Sequence, residues 1–237
     1  MARIKYGAGL GGYEEMAYYT TPRDEMYLDA LAKKHVEIGI TTGGHIEFDG
    51  KDFKQKQGFL VDGAITKMTF YNDQDVAVYT ASAIDYEVNK NFKFNIFDII
   101  GDSTAGNDTV TGSSSDDLYM FAGFGRNTFA GLNGTDVILS YGGVDTATGK
   151  LGSDYFYFQP NESVKKQTLT ITDFDANGGG DQQDYLYWYP ELEYRAFERG
   201  DDLVILFEAT KSKIIVENVS RPEFTEDDIQ VPPEFPL

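Results

Sequence analysis

The chain has 237 residues, enough for one large or two small folded units. Its 39 Asp and Glu against 20 Lys and Arg give a formal charge of −19, which argues against nucleic acid or an anionic membrane as partner and fits a protein that meets cations. There is no cysteine, so disulfide and thiol chemistry are absent, and no apolar run approaches the ~20 residues that a membrane-spanning helix needs.

Residues 1–20 are rich in Gly and Tyr, show no clear period, and read as irregular or as an edge segment. Thr21-Pro22-Arg23-Asp24-Glu25 has the marks of a helix start: an N-cap Thr, Pro at the first position and acids in the first turn. Tyr27, Leu28 and Leu31 follow at helical spacing, so a helix is predicted to about Lys34. From His35 to about Glu87 the pattern turns to short strands. Val36–Ile40 alternates; His45–Phe48 stops at Asp49-Gly50; Phe59–Val61 stops at Asp62-Gly63; Ile65–Phe70, Val76–Tyr79 and Ile84–Val88 follow. Phe94–Ile100 leads into the next segment.

Between Asp108 and Phe156 a repeat takes over. Asp or its amide isostere recurs at Asp108, Asp117, Asn127, Asp136, Asp145 and Asp154, in steps of nine, ten, nine, nine and nine. Two places before each stands a small residue: Gly106, Ser115, Gly125, Gly134, Gly143 and Gly152. Two places after stands Val110, Tyr119, Phe129, Ile138, Ala147 or Phe156, all but the last alanine large and apolar or aromatic. A unit of this kind is a Gly-x-Asp turn followed by a very short strand with one inward side chain. Nine residues make half a coil and eighteen a full one, and coils bury their apolar faces only by stacking. Stacking places Asp108, Asn127 and Asp145 on one edge and Asp117, Asp136 and Asp154 on the other. Carboxylates stacked at the ~5 Å strand spacing repel one another, and a hard divalent cation held by carboxylates and turn carbonyls removes the repulsion. Calcium suits such a flexible all-oxygen cage better than magnesium, which gives up its waters reluctantly.

The pattern resembles the RTX (repeats-in-toxin) family, whose nonapeptide Gly-Gly-x-Gly-x-Asp-x-apolar-x forms a calcium-binding parallel β-roll. The family's first Gly stands at Gly112, Gly131 and Gly149, all on the second edge; on the first edge Ser103, Ala122 and Ser140 occupy those places and Asn127 replaces an aspartate. The resemblance therefore makes Asp117, Asp136 and Asp154, with the turn residues Gly134 and Gly152, the stronger calcium set, and Asp108, Asn127 and Asp145 the weaker one. It extends further along the chain. Ile171-Thr172-Asp173-Phe174, the Gly/Asp loop ending Asp181–Asp184, Gly200-Asp201-Asp202-Leu203-Val204-Ile205 and Thr225-Glu226-Asp227-Asp228-Ile229 match, in order, the pieces of the family's C-terminal capping region. The likeness covers about residues 98–230 and implies Asp173 and Asp184 as ligands or strand-end pins. The terminal Glu234-Phe235-Pro236-Leu237 resembles the end of a type I secretion signal. The N-terminal Met-Ala-Arg-Ile-Lys-Tyr-Gly lacks the apolar stretch of a secretory leader, which alone suggests the cytoplasm. The resemblance reverses this and implies export by type I machinery.

The expected architecture is all-β: a parallel β-roll, or right-handed β-solenoid, over residues 98–158, a β-rich segment with one helix stacked on it over 1–97, and a capping and secretion region over 159–237. Other motifs fare less well. His35 and His45 are the only histidines and do not form His-Glu-x-x-His, so a zinc-protease reading fails, and a zinc site would need both together with carboxylates. Gly7-Ala8-Gly9-Leu10-Gly11-Gly12 has dinucleotide-loop spacing without the βαβ context. Tyr185–Tyr189, with Tyr194 and Phe197, is either core or a stripe that stacks on the rings of an extracellular polysaccharide. The function expected is that of a secreted, non-catalytic calcium-binding module serving at a surface, in a matrix or as a carrier. The alternative is a module of a polysaccharide-modifying or other secreted enzyme, with its site in residues 1–100.

Overall fold

The computed structural model describes residues 3–6, 26–40, 44–56, 59–71, 74–75, 77–89, 106–117, 120–160, 166–176, 182–188 and 192–230. Among them the chain is all-β, with seventeen strands and no α-helix, in one 13-stranded and one 4-stranded sheet.

The N-terminal half is an antiparallel meander. β2 (Met26–Ala32), β3 (His35–Ile40), β4 (His45–Lys56), β5 (Phe59–Tyr71) and β6 (Ala77–Val88) pair in succession. Alternation buries Val36, Ile46, Phe48, Met68, Phe70 and Ala81. The opposite face carries His35, Glu37, Glu47, Asp49 and Lys67. The predicted helix over Thr21–Lys34 is not formed where the chain is described. Met26–Ala32 is a strand that turns at Lys33-Lys34 and pairs back from Met26↔Ile40 to Ala32↔His35. The apolar spacing of Tyr27, Leu28 and Leu31 fits a bulged strand as well as a helix, and pairing with Val36–Ile40 overrides the weak local preference.

Two expected turns are kinks inside long strands. At Asp49/Gly50 the register shifts opposite Ile65, and Gly63 has φ 127°. A Cβ on Gly50 would lie 1.9 Å from the carbonyl oxygen of Ala64, and one on Gly63 would lie 2.6 Å from the Phe53 ring. Asp-Gly therefore marks two facing bulges, not hairpin ends.

The stretch expected to be irregular contributes a central strand. β1 (Arg3–Tyr6) pairs antiparallel with β6 on one side and parallel with β7 (Thr109–Thr111) on the other. It joins the meander to a parallel array. In that array consecutive strands alternate between the sheets. β7, β9 (Thr128–Asn133), β11 (Val144–Leu151) and β13 (Thr168–Ile171) lie in the large sheet, and β8 (Met120–Phe121), β10 (Val137–Ser140), β12 (Tyr155–Phe158) and β14 (Tyr185–Trp188) form the small one. Pairing is parallel and in step with the repeat: Ile138 lies against Met120 and Phe156, and Phe129 against Val110 and Ala147. All six side chains are fully buried, each large one contributing about 2–3 kcal/mol of hydrophobic stabilisation.

The array ends in an antiparallel cap. β17 (Ser212–Val216) pairs parallel with β13, then antiparallel with β16 (Asp202–Phe207), which pairs with the edge strand β15 (Tyr194–Arg199). Phe158 and Trp188 of the small sheet pack on Phe207 at 5.7 and 5.6 Å between ring centroids. A capping box closes the turn Thr225–Asp228, and Ile229 bridges to Leu186 at the end of the small sheet. The dinucleotide-like Gly7–Gly12 motif, Phe94–Ile100, Ser103, the Gly178–Asp181 loop and the terminal residues 231–237 lie outside the described residues.

Candidate metal centre

The turns between the two sheets line up the repeat carboxylates in two ladders. On the second edge the Asp117 N–H donates to Asp136 Oδ1, the Asp136 N–H to Asp154 Oδ1 and the Asp154 N–H to Asp184 Oδ1, each at 2.9 Å. On the first edge the Asp108 N–H donates to Asn127 Oδ1 at 3.2 Å and the Asn127 N–H to Asp145 Oδ1 at 3.0 Å. All seven side chains are buried. In each ladder one carboxylate oxygen serves the backbone of the preceding turn, and the ladders differ in what the other oxygen meets.

On the first edge the second side-chain atom is provided for at Asp145 and Asn127. The Ser140 hydroxyl donates to Asp145 Oδ2 at 2.6 Å, and Asn127, which carries no charge, donates its Nδ2 to the Gly123 carbonyl at 2.7 Å. On the second edge only the ends are provided for. Asp117 accepts from the backbone N–H and the hydroxyl of Ser113, and Asp184 Oδ2 accepts from the Asp175 N–H. Between them, Asp136 Oδ2 and Asp154 Oδ2 are buried with no hydrogen-bond partner.

The glycines of the second edge explain where these oxygens point. A Cβ on Gly131 would lie 2.2 Å from Asp136 Oδ2 and 2.7 Å from the Gly149 carbonyl oxygen. A Cβ on Gly149 would lie 2.0 Å from Asp154 Oδ2, and one on Gly112 2.1 Å from the Gly131 carbonyl oxygen and 2.6 Å from Asp117 Oδ2. Each missing side chain leaves a cradle flanked by a carboxylate oxygen and, at Gly112 and Gly131, a carbonyl from the neighbouring turn. Gly134 and Gly152 have another task. Their φ values are 111° and 150°, and a Cβ on Gly152 would fall 1.7 Å from the Gly134 carbonyl oxygen, so only glycine lets these turns stack.

Burial dominates the electrostatics. It pushes Asp136 up to about 8, helped by the neighbouring charges of Asp154, Asp117 and Asp116. It raises Asp117 and Asp154 to about 6 and Asp184 to about 7, against the hydrogen bonds that they accept. Asp145 also rises to about 6, and there the Ser140 hydroxyl opposes the shift. Removing such carboxylates from water strongly disfavours their charged form unless a cation compensates it.

Asp173 lies beside the second ladder, and its charge adds to the upward push on Asp154 and Asp184. It accepts the N–H groups of Gly149 and Lys150 at 3.0 Å each and so closes the turn of β11. Sequence reasoning missed the backbone of that edge: Leu132 and Lys150 hold φ of 90° and 82°, left-handed values that non-glycine residues rarely adopt. The signal was present, because each follows Gly131 or Gly149, where the RTX pattern has a second Gly. The aromatic stripe is mostly internal. Tyr185 stacks on Tyr155 at 4.8 Å and Tyr187 on Tyr157 at 5.0 Å, and Trp188 is buried; Tyr194 and Phe197, on the edge strand, are exposed.

No family model and no curated protein matches the chain. Among solved structures it is similar to the AlgE6R3 subunit of the mannuronan C5-epimerase of Azotobacter vinelandii, with TM-score 0.41 and 18% identity over 54% of this chain and 79% of that one. It is also similar to the extracellular lipase LipA of Serratia marcescens, with TM-score 0.32 and 14% identity over 96% of this chain and 34% of the lipase.

Among the described residues no three His, Asp or Glu side chains converge on one point to hold a metal. A cation on the second edge would take its ligands from carboxylates and backbone carbonyls together. That mixture is all oxygen, and it fits calcium.

Proposed function

We propose that the chain is a calcium-binding parallel β-roll protein of the RTX type, exported from the cell and serving without catalysis as a surface, matrix or carrier module. The observation that carries this reading is the pair of buried, unpartnered oxygens Asp136 Oδ2 and Asp154 Oδ2, set over the cradles of Gly131 and Gly149. A buried carboxylate oxygen with no donor is a costly arrangement, and a hard cation relieves it. In this reading the alternating strands from about residue 98 to 158 are coils wound as a solenoid, residues 1–97 form a β-sheet that extends the coil, and residues 159–237 cap it and hold the type I secretion signal. Asp136 and Asp154 are the main ligands, with Asp117 and the turn backbone around Gly134 and Gly152 contributing; Asp108, Asn127 and Asp145 hold their edge largely without metal, and Asp184 and Asp173 pin the end. Bound calcium neutralises the ladder and adds its binding free energy to folding, so a chain of charge −19 is loose where calcium is scarce and compact where it is plentiful.

The test is a calcium titration of the full chain followed by circular dichroism and melting, reversed with EGTA. The proposal expects a gain in melting temperature that EGTA abolishes; identical melting with and without calcium would overturn it. A second reading, a module of a polysaccharide-modifying or other secreted enzyme, draws on the histidine and carboxylate cluster on the polar face of the meander. Turnover of an extracellular polysaccharide that Glu47→Gln abolishes would favour it.

A further inference from the structure

The two histidines meet on the polar face of the antiparallel meander, well away in sequence from the ladders. His35 begins β3 and pairs with Asp49; His45 begins β4 and pairs with Tyr71; Glu47 lies between them on β4. The Nε2 atoms of both rings face one oxygen, Glu47 Oε1, at 4.0 Å for His35 and 3.9 Å for His45.

Each of the three groups is held from behind. Asp49 Oδ1 lies 2.9 Å from His35 Nδ1, so in the Nδ1–H tautomer the ring donates to the carboxylate and its Nε2 is left to face Glu47. The Tyr71 hydroxyl donates to Glu47 Oε2 at 3.1 Å, which turns Oε1 toward the rings. The His45 ring stacks on Tyr71 with centroids 4.4 Å apart and an interplanar angle of 10°, and its Nδ1 is 3.8 Å from Asp75 Oδ1. Lys67, 3.7 Å from Asp49 Oδ2, completes the charges around the group.

We propose that His35, His45 and Glu47 form a binding site for a borderline divalent transition-metal ion such as zinc, separate from the aspartate ladders. Two imidazoles and one carboxylate are the donor set such ions favour, whereas imidazole nitrogen is a poor ligand for calcium. A carboxylate behind a ligating histidine is the usual support for such a site, and Asp49 occupies that position here. Donors around a tetrahedral zinc stand roughly 3.3 Å apart. The gaps from each ring to Glu47 are wider than this, and no three donors among the described residues share one point, so the rings must move in to hold an ion. The three side chains are 37%, 19% and 26% exposed, so solvent reaches each of them.

The experiment uses the full chain saturated with calcium and titrates it with Co²⁺, whose visible absorption reports nitrogen and oxygen ligation, and with Zn²⁺ by calorimetry. One ion should bind. His35→Ala and His45→Ala should each weaken binding at least tenfold and Asp49→Asn by about 10–100-fold. Nitrogen-detected NMR of the wild-type imidazoles gives a readout that needs no variant: zinc should shift both Nε2 resonances while Nδ1 of His35 stays protonated. Absence of cobalt absorption, equal affinity in the histidine variants, or unmoved Nε2 resonances would overturn the proposal.

Discussion

The two ladders use the same backbone device and solve the burial of their carboxylates differently. At Asp145 on the first edge the chain supplies its own donor, Ser140, which stands where the second edge has glycine, and Asn127 carries no charge. On the second edge Gly131 and Gly149 supply no side chain, and Asp136 and Asp154 are left with one bare oxygen each. At Asp145 the side chain at the first position of the turn, Ser140, supplies the donor that Gly131 and Gly149 do not supply to Asp136 and Asp154. The same repeat thus keeps its strand pairing on both edges while the surroundings of its carboxylates differ.

The largest expected effect is that of calcium itself. A ligand that binds only the folded chain at 1,000 times its dissociation constant stabilises it by about 4 kcal/mol per site. Melting monitored by circular dichroism in millimolar calcium and in EGTA should show a rise of many degrees. Next comes the contrast between edges. Asp136→Ala should lower calcium affinity at least tenfold and Asp145→Ala less than twofold, measured by calorimetry; equal effects would sink the asymmetry between the ladders.

The response to pH should change sign with calcium. In the metal-free chain, burial raises Asp136 to about 8 and Asp154 to about 6. A carboxyl whose folded pKa lies above its unfolded value near 4 favours folding in its protonated form. That contribution is complete below pH ~4 and lost as pH rises through about 6 and then about 8. Denaturant midpoints in EGTA should therefore fall from pH 5 to pH 9. Calcium must displace those protons, so its affinity should rise over the same interval.

How far the sequence spoke for all this differs between the two halves. The ladders were legible because a nine-residue period forces Asp108, Asp117, Asn127, Asp136, Asp145 and Asp154 into fixed places, and Ser140 against Gly131 and Gly149 already separated the edges. Asp184 was legible only through its likeness to a capping region, because the long segment between β13 and β14 breaks the period. The meander was legible as strands but not in its joints. Asp49-Gly50 and Asp62-Gly63 carry turn chemistry, yet each faces the other strand at a bulge, and that choice depends on a partner far along the chain. Met26–Ala32 was misread as helix because its apolar spacing suits both periods until Val36–Ile40 lies beside it. The grouping of His35, Glu47 and His45 depends on register alone, which composition does not set.

The first position of the turn can be exchanged to test the comparison directly. Ser140→Gly removes the donor to Asp145 Oδ2 and recreates on the first edge the cradle seen at Gly131. It should cost the metal-free chain about 1–3 kcal/mol, the usual loss when a buried acceptor is left without its partner. It should also make melting more responsive to calcium than in the parent. A loss of stability with no new calcium response would mean that serine at this position matters for packing alone.

The smallest effect concerns the backbone of the second edge. Leu132 and Lys150 sit at φ 90° and 82° with exposed side chains, so little packing is at stake. A non-glycine residue held in left-handed geometry costs about 1–2 kcal/mol, and glycine gives back part of that gain through its freer unfolded chain. Leu132→Gly and Lys150→Gly should each raise metal-free stability by up to about 1 kcal/mol, read as a shift in denaturant midpoint at constant slope. Both residues flank a cradle, so relaxing them should also ease ion entry and raise calcium affinity modestly. If the substitutions lower stability in EGTA, the turns are held by packing that the exposed leucine and lysine supply, and the strain on this edge is not what calcium binding has to overcome.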